Sequence, residues 1–129
     1  MSDIIYLAGT DEQPSIYFDN SYLLRITGCS FPEDSWNVYK TVITRVSQLI
    51  DQRPGILNCE FMVSRCNKSS ISCILDLFKL MRLMQYAGWQ IMVKWQYQEF
   101  DEDMKDVGEE FSKILAGSFE LVENEEVLA

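Results

Sequence analysis

The decisive stretch of this chain is Ser64-Arg65-Cys66-Asn67-Lys68-Ser69-Ser70-Ile71, which separates a strand pattern from a helix pattern. Before it, apolar residues alternate with period two, as on a half-buried strand: Leu57, Cys59, Phe61 and Val63. After it, the apolar spacing from Ile71 to Met84 is helical. We therefore predict a strand over residues 56–65, a helix over 70–87 and a capped junction between them.

The junction itself has two readings. Asn67, Ser69 and Ser70 all have short polar side chains that cap helix N-termini, and capping alone explains their presence. A helix N-terminus also presents unpaired N–H groups and a partial positive charge. Such a junction can bind an anion, or can carry a hydroxyl whose phosphorylation changes the surface abruptly.

Upstream of the junction the pattern predicts a short strand, a hairpin and a helix. Residues 4–8 form the short strand, and Asp19-Asn20-Ser21 is the turn of the hairpin. Gly28 and Pro32 interrupt the strand pattern. Either Ser30 or Asp34 then caps a helix that runs to about residue 51 and stops at Arg53-Pro54-Gly55.

Downstream, residues 91–97 alternate as another strand, and Gly88 ends the preceding helix. The acidic run Asp101-Glu102-Asp103 precedes a third helix, which we expect to extend to Gly117. A last strand includes Phe119 and Leu121, and the acidic tail beyond Glu123 is expected to fray.

This order predicts an α/β fold in one domain, residues 1–129. We expect a two-layer sandwich with a mixed sheet of about five to six strands and three helices. Because the inner strands alternate, one sheet face is expected to be covered by helices while the other is more exposed. Parallel crossovers should be right-handed.

The helix over 70–87 is apolar around most of its circumference, which exceeds what one sheet face needs. Neighbouring helices can cover the excess, or a partner or second subunit can. Leu80 and Leu83 flank the narrow polar stripe and are the candidate partner-face residues on this helix. The sequence is also compatible with a homodimer.

Composition excludes several classes of function. The net charge of −9 argues against binding to nucleic acid or to anionic membrane surfaces. The absence of histidine excludes Ser-His-Asp and Cys-His catalysis and any histidine-containing zinc site. We predict no cofactor and no metal. No signal peptide or membrane-inserted segment is recognisable, so we expect a cytoplasmic protein whose four cysteines are free thiols.

An enzyme would have to rely on carboxylates. The candidates cluster around the start of the third helix: Asp101, Glu102, Asp103, Glu109 and Glu110. Paired carboxylates can act as acid and base or hold a metal. Acidic residues are also expected at a helix N-terminus for electrostatic reasons, so we interpret them as a solvated face and the protein as a non-enzyme.

Taken in order, the motifs resemble those of the SiaC family of bacterial regulatory phosphoproteins. The matching segments span nearly the whole chain: Thr10 to Pro14, Gly28-Cys29-Ser30-Phe31-Pro32-Glu33-Asp34, Asn67-Lys68-Ser69-Ser70, Trp95 with Tyr97, Asp101-Glu102-Asp103-Met104, and Gly108-Glu109-Glu110-Phe111. The resemblance implies a STAS-like fold, the fold of anti-sigma factor antagonists.

The resemblance also implies a function. In that family a kinase phosphorylates the threonine of an Asn-Thr-Ser-Ser segment and a phosphatase reverses the reaction. The unmodified form binds and activates a diguanylate cyclase, which raises cyclic di-GMP and promotes biofilm growth. We therefore expect a non-catalytic signalling adaptor, with residues 67–70 as its switch and with Ser30, Glu33, Leu80 and Leu83 on its partner face. The alternative is a STAS-like anti-sigma factor antagonist that binds an anti-sigma kinase.

Lys68 occupies the position of the family's phosphoacceptor threonine. Lysine has no hydroxyl, and its +1 charge is opposite in sign to the roughly −1.5 to −2 of a phosphate. Three outcomes follow: the protein is permanently in its binding form, Ser69 has become the acceptor, or the protein serves a different partner. The first and the third are favoured.

Overall fold

The computed structural model describes residues 4–124, which form a six-stranded sheet and three helices. The strands are β1 (Ile5–Leu7), β2 (Ser15–Phe18), β3 (Leu23–Cys29), β4 (Ile56–Ser64), β5 (Gln90–Gln98) and β6 (Phe119–Asn124). The helices are α1 (Ser35–Leu49), α2 (Lys68–Tyr86) and α3 (Glu102–Ser112). The predicted α/β fold with a mixed sheet is confirmed. The tail beyond Glu123 was expected to fray, but Asn124 still pairs with Gln98 in β6. The rest of that tail, residues 125–129, lies outside the described residues.

The strands lie in the sheet in the same order as in the chain, from β1 to β6. The pairs β1–β2 and β2–β3 are antiparallel, whereas β3 to β6 are parallel and are joined by the three helices. Burial alternates along β3, β4 and β5, because one sheet face lies under the helices while Arg25, Asn58 and Lys94 point from the open face. This arrangement matches the pattern expected for a sheet covered on one side.

An aromatic cluster forms the centre of the core between β5, α2 and α3. The ring of the fully buried Trp95 lies 5.4 Å from that of Phe61 and 5.5 Å from that of Phe111. The Trp95 indole donates a 2.9 Å hydrogen bond to the Met104 carbonyl, so its polar group is satisfied in the interior. Gly108 lets α3 pack directly against this indole, because it has no Cβ to hold the two apart.

The structure confirms one of the two caps predicted for α1 and corrects the predicted start of α2. Asp34 caps α1, with its carboxylate accepting from the Asn37 N–H at 3.1 Å, so the alternative cap Ser30 is wrong. Helix α2 begins at Lys68, two residues earlier than predicted. Asn67 is its cap, which places Ser69 and Ser70 inside the first turn. Asn67 has the extended backbone conformation of a cap, with φ −80° and ψ 169°, and its side chain accepts from the Ser70 N–H.

Two other boundaries were predicted incorrectly. Strand β3 continues through Gly28, whose φ of +106° is accessible to glycine without steric cost. Helix α3 ends at Ser112 and not at Gly117. Leu115 is nevertheless buried and Ile114 packs against the core, because the turn after α3 directs them inward. The helical spacing of apolar residues therefore continues beyond the hydrogen-bonded helix.

Within residues 4–124, no helix combines the length and apolar character needed to cross a bilayer.

Three of the four cysteines are expected to react slowly in the folded protein. Burial raises the pKa of the Cys66 thiol to about 12 and raises the pKa of Cys59 and Cys73 as well, so little of their reactive thiolate is present near neutral pH. Alkylation of these three without reductant should therefore be slow before unfolding, and the whole chain should give four adducts in denaturant, measured by intact mass. Two or fewer adducts after unfolding would contradict the prediction of free thiols.

Candidate functional site

Residues 67–70, the switch segment, join the end of β4 to the first turn of α2. The Asn67 carboxamide makes hydrogen bonds to the segments on both sides of this junction. Its oxygen accepts from the Ser70 N–H at 2.9 Å, and its nitrogen donates to the Pro32 carbonyl at 3.2 Å. The Asn67 backbone N–H also donates to the Ser30 carbonyl at 2.9 Å. The cap of α2 is thereby fixed to the loop that precedes α1.

A chain of hydroxyl groups connects the two helix N-termini beneath the surface. Ser30 Oγ lies 2.7 Å from Tyr39 Oη and donates to Ser70 Oγ at 2.8 Å. Ser35 Oγ lies 2.7 Å from Ser69 Oγ and 3.1 Å from Ser70 Oγ. We refer to these five residues and Asn67 as the hydroxyl network. Each hydroxyl supplies one proton, so Tyr39 donates to Ser30 when Ser30 donates to Ser70.

The inner residues of the hydroxyl network are buried from solvent. Ser30, Ser35 and Ser70 are at most 3% exposed, and burial holds the pKa of Tyr39 far above its ordinary value. Tyr39 therefore remains a protonated donor at physiological pH. Because an unpaired buried hydroxyl is costly, breaking one link leaves its neighbour unsatisfied. The network favours one fixed orientation of α2 relative to α1.

This burial corrects the predicted partner face. Ser30 is fully buried, so its expected role on the partner face is wrong; its hydroxyl is needed inside the network. Ser70, predicted as part of the switch, is also internal. Neither Ser35 nor Tyr39 was recognisable from the sequence as part of the site. The signal for Ser35 was its place directly after the Asp34 cap, where its side chain faces α2.

Three predicted residues do reach the surface around the junction. Lys68, the first residue of α2, is exposed, and its side chain makes no hydrogen bond or ion pair with any residue between 4 and 124. Ser69 is exposed, although its hydroxyl donates to Asn67 Oδ1 at 3.2 Å and contacts Ser35. Glu33 is exposed beside the Asp34 cap. The surface of the switch segment is therefore carried by Lys68 and Ser69.

Arg65 fixes the approach to the switch segment. Its φ of +50° is a left-handed conformation that is uncommon for a residue other than glycine. The turn places its guanidinium over the ring of Phe31, 4.8 Å from the centroid. This cation–π contact ties the loop after β4 to the loop before α1.

The predicted apolar excess of α2 is mostly internal. Ile74, Leu77 and Phe78 are fully buried, and Leu80 packs against the core. Leu83 differs, because 52% of its side chain is exposed. Tyr86 follows it at 74% exposure, with Arg82 stacked 4.5 Å from its ring centroid. Of the two proposed partner-face leucines, only Leu83 presents a substantial surface.

The acidic residues of the enzyme hypothesis have structural roles or lie in solvent. Asp101 caps α3 by accepting from the Met104 N–H at 3.2 Å, and Glu102 and Asp103 occupy the exposed first turn. Glu110 pairs with Lys113 at 3.2 Å on the same surface. Between residues 4 and 124, no group of three or more cysteine or carboxylate side chains is arranged to hold a metal ion.

Replacing Asn67 by alanine should destabilise the fold by about 1–2 kcal/mol, because it removes the cap and leaves the Pro32 carbonyl and the network hydroxyls without their partner. Urea denaturation gives the change in free energy of unfolding. Asn58→Ala is the matched control, since Asn58 is exposed on the open sheet face. If both variants lowered the free energy of unfolding by the same small amount, the cap would not be needed to hold the junction.

The family model described as SiaC family regulatory phosphoprotein matches residues 7–124. An uncharacterized protein of Pseudomonas aeruginosa strain UCBPP-PA14 is 28% identical over 127 residues, which cover 98% of this chain and all of that protein.

Among solved structures, SiaC of Pseudomonas aeruginosa superposes with a TM-score of 0.86 at 23% identity, covering 95% of this chain and 99% of that one. A chain from the complex of the diguanylate cyclase SiaD with its activator SiaC, also from Pseudomonas aeruginosa, gives a TM-score of 0.86 at 24% identity. It covers 93% of this chain and 99% of that one. These structural likenesses establish the fold.

Proposed function

The chain belongs to the SiaC family of regulatory phosphoproteins, and from this premise we propose that it is a non-catalytic adaptor that binds and regulates a diguanylate cyclase. In the related complex, SiaC is the activator of the cyclase SiaD. The proposal transfers that role to this chain through the shared family and fold. It requires no catalytic group, and the exposed carboxylates around α3 are explained by capping and solvation.

The observation that carries the proposal is the position of Lys68. It stands at the first residue of α2, exposed, where the family resemblance puts the phosphoacceptor threonine. Its ammonium cannot accept a phosphate and keeps a positive charge on this surface. We infer that the adaptor is held in its binding form and that a kinase and phosphatase do not control it through position 68.

The proposed contact face runs along the exposed side of α2. Lys68 and Leu83 are fifteen residues apart, which is about 22 Å along a helix axis, and they lie within about 60° of each other around it. Leu83 and Tyr86 supply an exposed apolar end, and Lys68 supplies a charged end. Apolar anchors flanked by charge are typical of specific protein interfaces. Glu33 is exposed directly after Pro32, whose carbonyl accepts from Asn67.

Binding to a purified diguanylate cyclase from the same organism tests the proposal. Lys68→Glu should weaken binding about tenfold, because it reverses a charge at the interface, whereas Lys68→Ala should change it little. Isothermal titration gives the affinity, and cyclic di-GMP formation gives the effect on the cyclase. Lys94→Glu, an exposed lysine on the open sheet face, is the matched control.

Leu83→Glu is the companion variant for the apolar end. It should weaken cyclase binding while changing the free energy of unfolding by no more than about 0.5 kcal/mol, because Leu83 is half exposed. If the wild-type protein neither binds the cyclase nor changes its rate of cyclic di-GMP formation, the adaptor proposal fails. Normal binding by both variants would instead move the contact face away from α2.

A further inference from the structure

The open face of the sheet, which carries no helix, has a row of charged side chains across four strands. The residues of this charge row are neighbours in the register of the parallel strands β3 to β6: Arg25, Glu60, Lys94 and Glu120. They point from the open face, because the residues before and after each of them face the helices. From β3 to β6 the charges are therefore positive, negative, positive and negative.

Only one half of the charge row is paired within the chain. Arg25 Nε donates to Glu60 Oε1 at 3.0 Å, and both side chains remain more than one third exposed. Lys94 and Glu120 are exposed neighbours in register, but neither side chain makes a hydrogen bond or ion pair with any residue between 4 and 124. The row thus has a formed ion pair at one end and two unpaired charges at the other.

The order of charges is complementary to its own reverse. Suppose that a second copy packs face to face about a two-fold axis that runs along the strands between β4 and β5. Its charge row then lies over the first in the opposite order. Lys94 faces Glu60 of the second copy, Glu120 faces Arg25 of the second copy, and the reciprocal pairs form as well. A two-fold axis along the row would instead place each charge over its own copy, where like charges repel.

Two methionines lie next to the same axis. Met92 is two residues before Lys94 on β5, and Met62 is two residues after Glu60 on β4, so they are on the open face on either side of the charge row. Met92 is 39% exposed. Because the axis exchanges β4 with β5, each methionine lies about one strand spacing, ~4.8 Å, from its own copy. Methionine is enriched in interfaces, and its flexible side chain fills irregular gaps.

The size of the face fits a weak dimer. Four strands about 4.8 Å apart, paired over about seven residues, present about 450 Å² per protomer. Two copies together bury about 900 Å² before the relief of the side chains is counted, which is close to the lower limit for a specific interface. The charge row adds no net charge of its own to the repulsion between two copies of a chain that carries −9.

We propose that the open sheet face is an interface between two copies of this chain, related by a two-fold axis along the strands between β4 and β5. The charge row sets the orientation, and the methionines supply apolar contact at the centre. Stacked sheets of this kind keep their strands within about 30° of each other, so the two rows stay opposed. Helix α2 lies on the outer layer of both copies, and the dimer therefore leaves the proposed cyclase contact face free and does not depend on it.

Two charge reversals, used separately and together, test the interface. Lys94→Glu places like charges opposite each other at two positions of the symmetric dimer, and Glu60→Lys does the same with the other sign. Each variant alone should weaken self-association at least tenfold. An equimolar mixture of the two should associate again, because every position of one row then faces an opposite charge in the other. Sedimentation velocity over a concentration series measures the wild type, each variant and the mixture.

Two further variants complete the test. Met92→Lys should also weaken self-association, because it brings two like charges together at the axis. Lys79→Glu, an exposed lysine on α2, is the matched control and should leave the dimer unchanged. Circular dichroism checks that each variant is folded. Three results would overturn the proposal: a wild-type chain that is monomeric at about 1 mM, a mixture that associates no better than its components, or a dimer that both charge reversals retain.

Discussion

Lys68→Thr is expected to convert a protein that a SiaC-family kinase cannot modify at position 68 into one that it phosphorylates. The wild-type side chain offers no oxygen at this position, and the threonine hydroxyl would stand exposed at the first residue of α2. Phosphate there adds about −1.5 to −2 charges next to unpaired N–H groups of the helix. Intact mass and fragmentation of the kinase-treated protein measure the modification.

The modified variant should also lose affinity for the cyclase by tenfold or more, because the charge of the surface changes sign at the proposed interface. Unphosphorylated Lys68→Thr is the control for the substitution itself. Adding Ser69→Ala should not affect modification of the threonine. Phosphate on Ser69 of the wild-type protein would contradict the idea of a lost switch, because it would show that the switch has moved by one residue.

Gly108→Ala is expected to destabilise the fold by about 3 kcal/mol, although alanine is the better helix former. A Cβ on this residue would lie 2.4 Å from Trp95 Cδ1 and 2.8 Å from Leu121 Cδ2. Trp95 is fully buried in the aromatic cluster and hydrogen-bonded to Met104, so its indole cannot move away without loss. The shift of the urea midpoint, followed by tryptophan fluorescence, measures the effect.

Gly55→Ala is the matched control, since a Cβ there meets Trp89 at an ordinary 3.5 Å. It should change stability by no more than about 0.5 kcal/mol. Combining Gly108→Ala with Trp95→Phe should give less destabilisation than the sum of the two, because the smaller ring relieves part of the overlap. Additive losses would mean that the cost of Gly108→Ala arises away from the indole.

Periodicity predicted the elements of the fold well because each helix and inner strand has one dry face. The alternation of Leu57 to Val63 on β4 and the helical spacing after Ile71 correspond directly to buried residues. Helix ends were less predictable. At α3, apolar spacing persists to Leu115 while the hydrogen-bonded helix ends at Ser112. Buried residues therefore continue beyond the end of the helix. Periodicity records burial and not the hydrogen bond pattern.

The candidate site was predictable only in part. The junction at residues 67–70 was located from the change of period, and Lys68 is exposed there. Which serines face inward was not predictable, because it depends on how α1 packs beside α2. Ser35 and Ser70 are 35 residues apart in sequence, and their 3.1 Å contact exists only once both helices lie on the sheet. Local sequence cannot encode the direction of such a contact on its own.

The match between strand order in the sheet and strand order in the chain has a consequence for synthesis on the ribosome. Each strand pairs with the strand translated immediately before it, so no later segment must be inserted between two that already pair. Pairing can therefore advance with elongation, and each loop closed is short relative to the chain. The growing edge is always the newest strand, and a pause after β4 or β5 would leave that apolar edge open to contact with other nascent chains.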